Sequence, residues 1–156
     1  MSKLIIMSGV AGSGKSTWAN NYAQNNANTL VLSTDEIRYQ LFNTQYPNNK
    51  SEKIIRKTII DKAIEASKQG INVVIDSAVV KNKGIMRWYR QLAQYFKVRE
   101  LVIIDTPLEK CLLQNNQRSR HVPEDVIREM YSFKEPLSEE IRASFDKITI
   151  INNEHK

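Results

Sequence analysis

Residues Gly9-Val10-Ala11-Gly12-Ser13-Gly14-Lys15-Ser16-Thr17 constrain this chain more than any other stretch. They fit G-x-x-x-x-G-K-[ST], the loop that cradles nucleotide phosphates. Lys3 to Ser8 reads as a short apolar strand, and Thr17 to Ala23 can wind as a helix, so strand, glycine turn and helix come in the required order. Glycines at 9, 12 and 14 let the backbone reach positive φ and turn its N–H groups inward, where they join the helix N-terminus as an anion nest. Random composition would produce the bare pattern in roughly 0.5% of chains this long.

The loop residues Gly9, Ala11, Gly12, Ser13, Gly14, Lys15, Ser16 and Thr17 are therefore the candidates for nucleotide binding. Lys15 brings a compact cation to the β- and γ-phosphates, and the Ser16 hydroxyl is a candidate ligand for Mg²⁺.

Around the loop, apolar runs alternate with helical patterns. Further strands are expected at 29–32, 71–75, 101–104 and 148–151. Helices are expected from Ser33 to about Phe42, where Ser33 and Glu36 form a capping box, then at 51–68, 83–96, 108–116, 124–133 and 138–143. Five short strands separated by helices predict a parallel sheet covered on both faces. The 156 residues suit a single domain, 1–156, with one core. Ligands of such sheets sit beyond the carboxyl ends of the strands. There the loop, the segment Ser33 to Arg38, Asp76 and Asp105 converge.

Asp35 and Arg38 stand three apart in a first helical turn and share a face, where the macrodipole favours an ionised carboxylate. Asp35 can act as general base toward a hydroxyl, and Arg38 can fork onto a phosphate or hold the acceptor. An ordinary helix-start ion pair would look the same. Asp76 ends an apolar strand, the position of a carboxylate that holds Mg²⁺ beside Ser16. Asp105 ends another, but Thr106-Pro107 after it reads as a turn, so Asp76 is preferred. Arg118 and Arg120 lie in a segment, about 117–135, that reads as a small helical lid. Brought over the phosphates, they would stabilise transition-state charge, with Arg118 also gripping the nucleotide. His121 and His155 have no metal-ligand spacing with each other or with Cys111.

Hydrophobic content of 41% with 26% charged residues is that of a soluble globular protein. A single cysteine and the lack of a long apolar run predict a cytoplasmic protein without a membrane span. The net charge of +6 fits a polyanionic partner. Between Val79 and Arg99 six bases (Lys81, Lys83, Arg87, Arg90, Lys97 and Arg99) occur without an acid, interleaved with Trp88, Tyr89, Tyr95 and Phe96. Such a run is either a solvated helix face with aromatics behind it or a surface that tracks phosphodiesters.

Taken together, the loop, Ser33-Thr34-Asp35-Glu36-Ile37-Arg38, Asp76 and Arg118-Ser119-Arg120-His121-Val122-Pro123 resemble the P-loop kinase module of polynucleotide 5′-hydroxyl kinases of the bacteriophage and bacterial end-repair type. The resemblance covers nearly the whole chain. It implies a three-layer P-loop kinase fold with sheet order 2-3-1-4-5, ATP and Mg²⁺ as cosubstrate and metal, and a nucleic acid with a 5′-hydroxyl end as partner. It also implies Asp35 as the base, Lys15 and Ser16 on phosphate and metal, Arg38 on the acceptor strand and the lid arginines on ATP. Small-molecule kinases acting on a nucleoside, sugar or antibiotic share much of this pattern. A non-catalytic ATP-gated binding module is the reading from another class, and it would not need the Asp35–Arg38 pair.

Overall fold

A computed structural model describes residues 2–44, 48–119 and 122–153. Five parallel strands form one sheet: β1 (Lys3–Ser8), β2 (Thr29–Ser33), β3 (Asn72–Asp76), β4 (Val98–Asp105) and β5 (Lys147–Asn152), in the spatial order β2-β3-β1-β4-β5. The order agrees with the sequence expectation. Inner strands β1 and β3 are apolar along Leu4–Met7 and Val73–Ile75, where helices cover them on both sides, and each ends at the carboxyl edge in a buried polar residue, Ser8 and Asp76.

The helices are α1 (Lys15–Asn25), α2 (Thr34–Phe42), α3 (Asn49–Lys68), α4 (Asn82–Leu92), α5 (Leu108–Asn116), α6 (Glu124–Ser132) and α7 (Glu139–Ser144). One layer buries Leu4, Ile6, Val73, Ile75 and Leu101 under α3 and α4, with Ile55, Ile59, Ile85 and Trp88 interdigitating. The other packs Ile5, Met7, Val74 and Val102 on α1. Alternate residues of each strand thus serve opposite faces. The helix expected to reach Phe96 ends at Leu92 and tightens into a 3₁₀ turn, Ala93–Tyr95, which turns the buried Phe96 toward the core.

Cap residues set where the site helices start. Ser33 ends β2 and its Oγ accepts from the Glu36 backbone N–H, so α2 begins at the carboxyl edge of the sheet. Asn48 and Ser51 cap α3 reciprocally. The expected lid is firmly attached where it is described: Ile127 of α6 is fully buried against Val10, Ala11, Cys111 and Leu112. Asn115 braces its base by accepting from the Val122 N–H at 2.9 Å and donating to its carbonyl at 2.7 Å. No helix among the described residues is long and apolar enough to cross a membrane.

Candidate functional site

The loop between β1 and α1 has the shape its glycines imply, with one correction. Gly12 and Gly14 adopt φ of 84° and 107°. Gly9 is not in the left-handed region, and space is what selects it: a Cβ there would stand 2.8 Å from Ser13 Oγ and 3.1 Å from the Ile104 carbonyl. Gly12 is doubly constrained, since its Cβ would meet the Cys111 carbonyl at 2.5 Å. The outer carbonyls of the loop are tied down by the strands and helices around it. Thr106 Oγ1 donates to Ser13 O at 2.7 Å, Asn153 Nδ2 donates to the same oxygen at 3.3 Å, and Gln114 Nε2 donates to Gly12 O. Two loop amides are already paired, Gly9 N–H with the Val79 carbonyl at 3.1 Å and Ser13 N–H with the Val10 carbonyl at 3.0 Å, so a phosphate nest would draw on the remaining amides of the turn.

Lys15 begins α1 and is buried, its Nζ donating to Val10 O at 3.1 Å. Burial lowers its pKa, opposed by the Asp76 and Asp35 carboxylates and assisted by Arg118. Ser16 Oγ donates to Asp76 Oδ2 at 2.8 Å. The pairing follows from topology: β3 lies beside β1, so its terminal carboxylate meets the first turn of α1. Asp105 has a different partner. Its Oδ1 accepts from Lys134 Nζ at 2.6 Å, and the strand it ends lies on the far side of β1. Ser16 and Asp76 thus form the hard-oxygen pair that suits Mg²⁺, an ion that takes one or two protein ligands and completes its shell with phosphates and water.

Asp35 and Arg38 are brought together as the spacing implies, but Arg38 does not stand free for a phosphate. Its guanidinium is buried, with side-chain exposure of 8%, and it forks onto Glu52 of α3: Nε to Oε2 at 2.7 Å and Nη2 to Oε1 at 2.8 Å. Nη1 donates to Asp35 Oδ1 at 2.6 Å. Burial pulls its pKa down, but the two carboxylates raise it overall. Glu52 escaped the sequence reading because it lies fourteen positions from Arg38 in another helix, and nothing local marks it out. Asp35 itself keeps 44% side-chain exposure. Its Oδ2 has no hydrogen bond among the described residues; Arg118 Nη2 stands 3.8 Å away.

Lys15, Ser16, Asp35, Asp76 and Arg118 line a common cleft of about 450 Å³ together with the Gly12–Gly14 turn. Asp35 also borders a larger groove, about 1000 Å³, between α3, α4 and α6. The carboxylate therefore stands where the loop's cleft meets a second binding space. Arg120, the other lid arginine singled out in the sequence, lies outside the described residues, as do His121 and His155. The basic stretch resolves mostly into scaffold: Trp88 and Phe96 are buried, Arg90 pairs with Glu140, and Lys81 sits 4.2 Å over the Phe133 ring.

Known proteins resemble this chain in sequence and in fold. The sequence matches AAA_33, an AAA-domain family, over residues 4–137. A protein of Autographa californica nuclear polyhedrosis virus that carries the name bifunctional polynucleotide kinase/RNA ligase is 28% identical over 144 residues, covering 83% of this chain and 20% of its own length. A chain of the Pnkp1/Rnl/Hen1 RNA repair complex superimposes with a TM-score of 0.77 at 22% identity, over 93% of this chain and 46% of its own. A sugar kinase from Janibacter sp. HTCC2649 gives 0.69 at 16% identity, over 97% of this chain and 86% of its own. The chain thus spans a fifth of the viral relative and less than half of the repair protein, and the two structural likenesses speak for the fold. With the family match running from β1 past α6 and the sheet order and loop in place, the chain belongs to the AAA_33 family and has the P-loop kinase fold.

Proposed function

We propose that this protein is an ATP- and Mg²⁺-dependent kinase that moves the γ-phosphoryl group of ATP onto the 5′-hydroxyl of a polynucleotide. The observation that carries the reading is the position of Asp35, a part-exposed carboxylate with one oxygen anchored by Arg38 and the other without a hydrogen bond among the described residues, 3.8 Å from Arg118, bordering both the phosphate cleft and the larger groove. A nucleotide switch has no use for such a group. The viral relative named as a polynucleotide kinase/RNA ligase supports the choice of acceptor.

In this reading the loop amides and Lys15 hold the β- and γ-phosphates, and Arg118 meets them from the lid side. Lys15 gains its counter-charge when the phosphates arrive, which offsets the burial that lowers its pKa in the free protein. Ser16 and Asp76 would hold Mg²⁺, which when bound neutralises charge on the β- and γ-oxygens. The acceptor enters through the groove and sets its hydroxyl against Asp35 Oδ2. As the acceptor's hydroxyl oxygen bonds to the γ-phosphorus and the bond from phosphorus to the β–γ bridging oxygen breaks, Asp35 takes the hydroxyl proton and ADP leaves.

The experiment is direct. The protein is incubated with γ-labelled ATP, Mg²⁺ and, separately, 5′-hydroxyl oligonucleotides, nucleosides and sugars. Label on the oligonucleotides is expected. Label confined to a small acceptor would make this a metabolite kinase, and release as free phosphate alone would remove the transferase reading.

A further inference from the structure

The groove beyond Asp35 is lined by basic side chains that the phosphate cleft does not use, Arg56 and Arg87 among them. Arg56 follows Glu52 by four residues on α3, so it lies on the same face about one turn, roughly 5.4 Å, farther from the Arg38 clamp. Its guanidinium covers the Trp88 ring at 4.0 Å from the centroid, and Nη1 donates to Gln91 Oε1 at 3.1 Å. Arg87, exposed on α4, faces the same groove.

The carboxylates nearby are already engaged: Glu52 with Arg38, and Asp61 with Lys57 at 2.8 Å. Among the described residues neither Arg56 nor Arg87 has an ion-pair partner. Burial together with the repulsion of Arg87 lowers the Arg56 pKa to about 10, while Glu52 opposes this only weakly. Two guanidiniums set on one wall, one of them half-buried and locked in plane by an indole, repel each other until an anion lies between them. A planar fork whose orientation is fixed in advance suits a tetrahedral phosphate and loses little freedom on binding it.

We infer that Arg56 and Arg87 bind a backbone phosphate of the acceptor strand, on the 3′ side of the terminal nucleoside whose hydroxyl faces Asp35. The inference rests on the kinase reading above and sharpens it. A nucleoside or sugar has no group to place there, so the pair selects for polynucleotides over small acceptors.

The test compares the wild type, Arg87→Gln, Arg56→Gln and, as a charge-matched control at the exposed start of β5, Lys147→Gln. KM for a 5′-hydroxyl oligonucleotide and KM for ATP are measured across a salt series. Losing one charge-assisted phosphate contact raises the oligonucleotide KM about tenfold or more and makes its log–log salt slope shallower by roughly 0.7. KM for ATP stays put, and Lys147→Gln behaves as wild type. Arg87 is exposed, so its variant folds even if loss of the Arg56 stack on Trp88 disturbs the other. If Arg87→Gln keeps the wild-type oligonucleotide KM and slope, this phosphate site is wrong and the kinase reading stands. If the wild type labels no oligonucleotide, both fall.

Discussion

Removing Glu52 from one side of its pair with Arg38 should cost more than removing both partners together. Glu52 accepts two charge-assisted hydrogen bonds, at 2.7 and 2.8 Å, from a guanidinium that is only 8% exposed. Bonds of this kind contribute about 1.5–3 kcal/mol each, and breaking a fully buried pair costs about 3–5 kcal/mol. Glu52 is 37% exposed, so solvent screens part of that. Glu52→Ala is therefore expected to cost about 2–3 kcal/mol, because Arg38 is left buried with a single bond to Asp35. In a domain of this size that lowers Tm by roughly 4–12 °C. Arg38→Met leaves a carboxylate that water can reach, and should cost about 1–2 kcal/mol. The double variant Arg38→Met/Glu52→Ala strands no buried charge and should be less destabilised than Glu52→Ala alone. Urea unfolding of the four proteins at fixed salt gives the cycle, with equal m-values as the check that the transitions are comparable. Single-variant costs that add to within about 0.5 kcal/mol would falsify the coupling.

Four further changes probe individual groups. Asp35→Asn should keep ATP affinity and lower turnover at least about 10²-fold; near-normal turnover in a labelled-ATP assay would take Asp35 out of the base role. Burial lowers the Lys15 pKa, so between its folded value and 10.5 the unfolded chain binds more protons and stability rises with pH. Below the folded value the cost of burying the ammonium is fully present. Lys15→Met should accordingly raise Tm at pH 7 by about 2–4 °C per kcal/mol recovered while abolishing nucleotide binding, and a lower Tm would mean that the bond to Val10 outweighs burial. Asp76→Asn should lose Mg²⁺-dependent activity, whereas Asp105→Asn should lose only its part-exposed bridge to Lys134, less than about 1 kcal/mol, with activity kept. Equal loss of activity in both would undo that assignment.

The sheet and loop were legible because they rest on local signals. Alternating apolar runs and helical periods located the strands, and Gly12 to Ser16 marked the cradle. What remained hidden depends on where the chain returns in space. Asp76 and Asp105 look alike as strand-end acids, and only the placement of β3 and β4 on opposite sides of β1 gives one of them Ser16 and the other Lys134. Gly9 looks like Gly12 in the motif, yet one is selected by crowding and the other by both φ and crowding. Arg38 shows one partner in its own helix, while the stronger one, Glu52, arrives from α3. The basic run from Val79 to Arg99 could not be divided in advance, because which of its aromatics are buried depends on how α3 and α4 pack, with Trp88 buried and covered by Arg56 of α3.

The division of the Arg38 fork explains why an arginine is needed there. Nε and Nη2 are spent on Glu52, so Asp35 receives one bond from Arg38, to Oδ1, and in the proposed reaction its Oδ2 is the oxygen left for the incoming hydroxyl. An arginine forked onto Asp35 itself would occupy both oxygens and close the site to a proton. A lysine at 38 keeps the positive charge, but its single nitrogen has no rigid second arm with which to span two carboxylates. Arg38→Lys should therefore retain part of the stability lost in Arg38→Met, leave KM for ATP unchanged and still lower kcat about tenfold or more, because a carboxylate turned by even an ångström misses the attacking oxygen. Were kcat to hold, the charge of Arg38 alone would account for its role, and the anchoring of Oδ1 would be incidental to the chemistry.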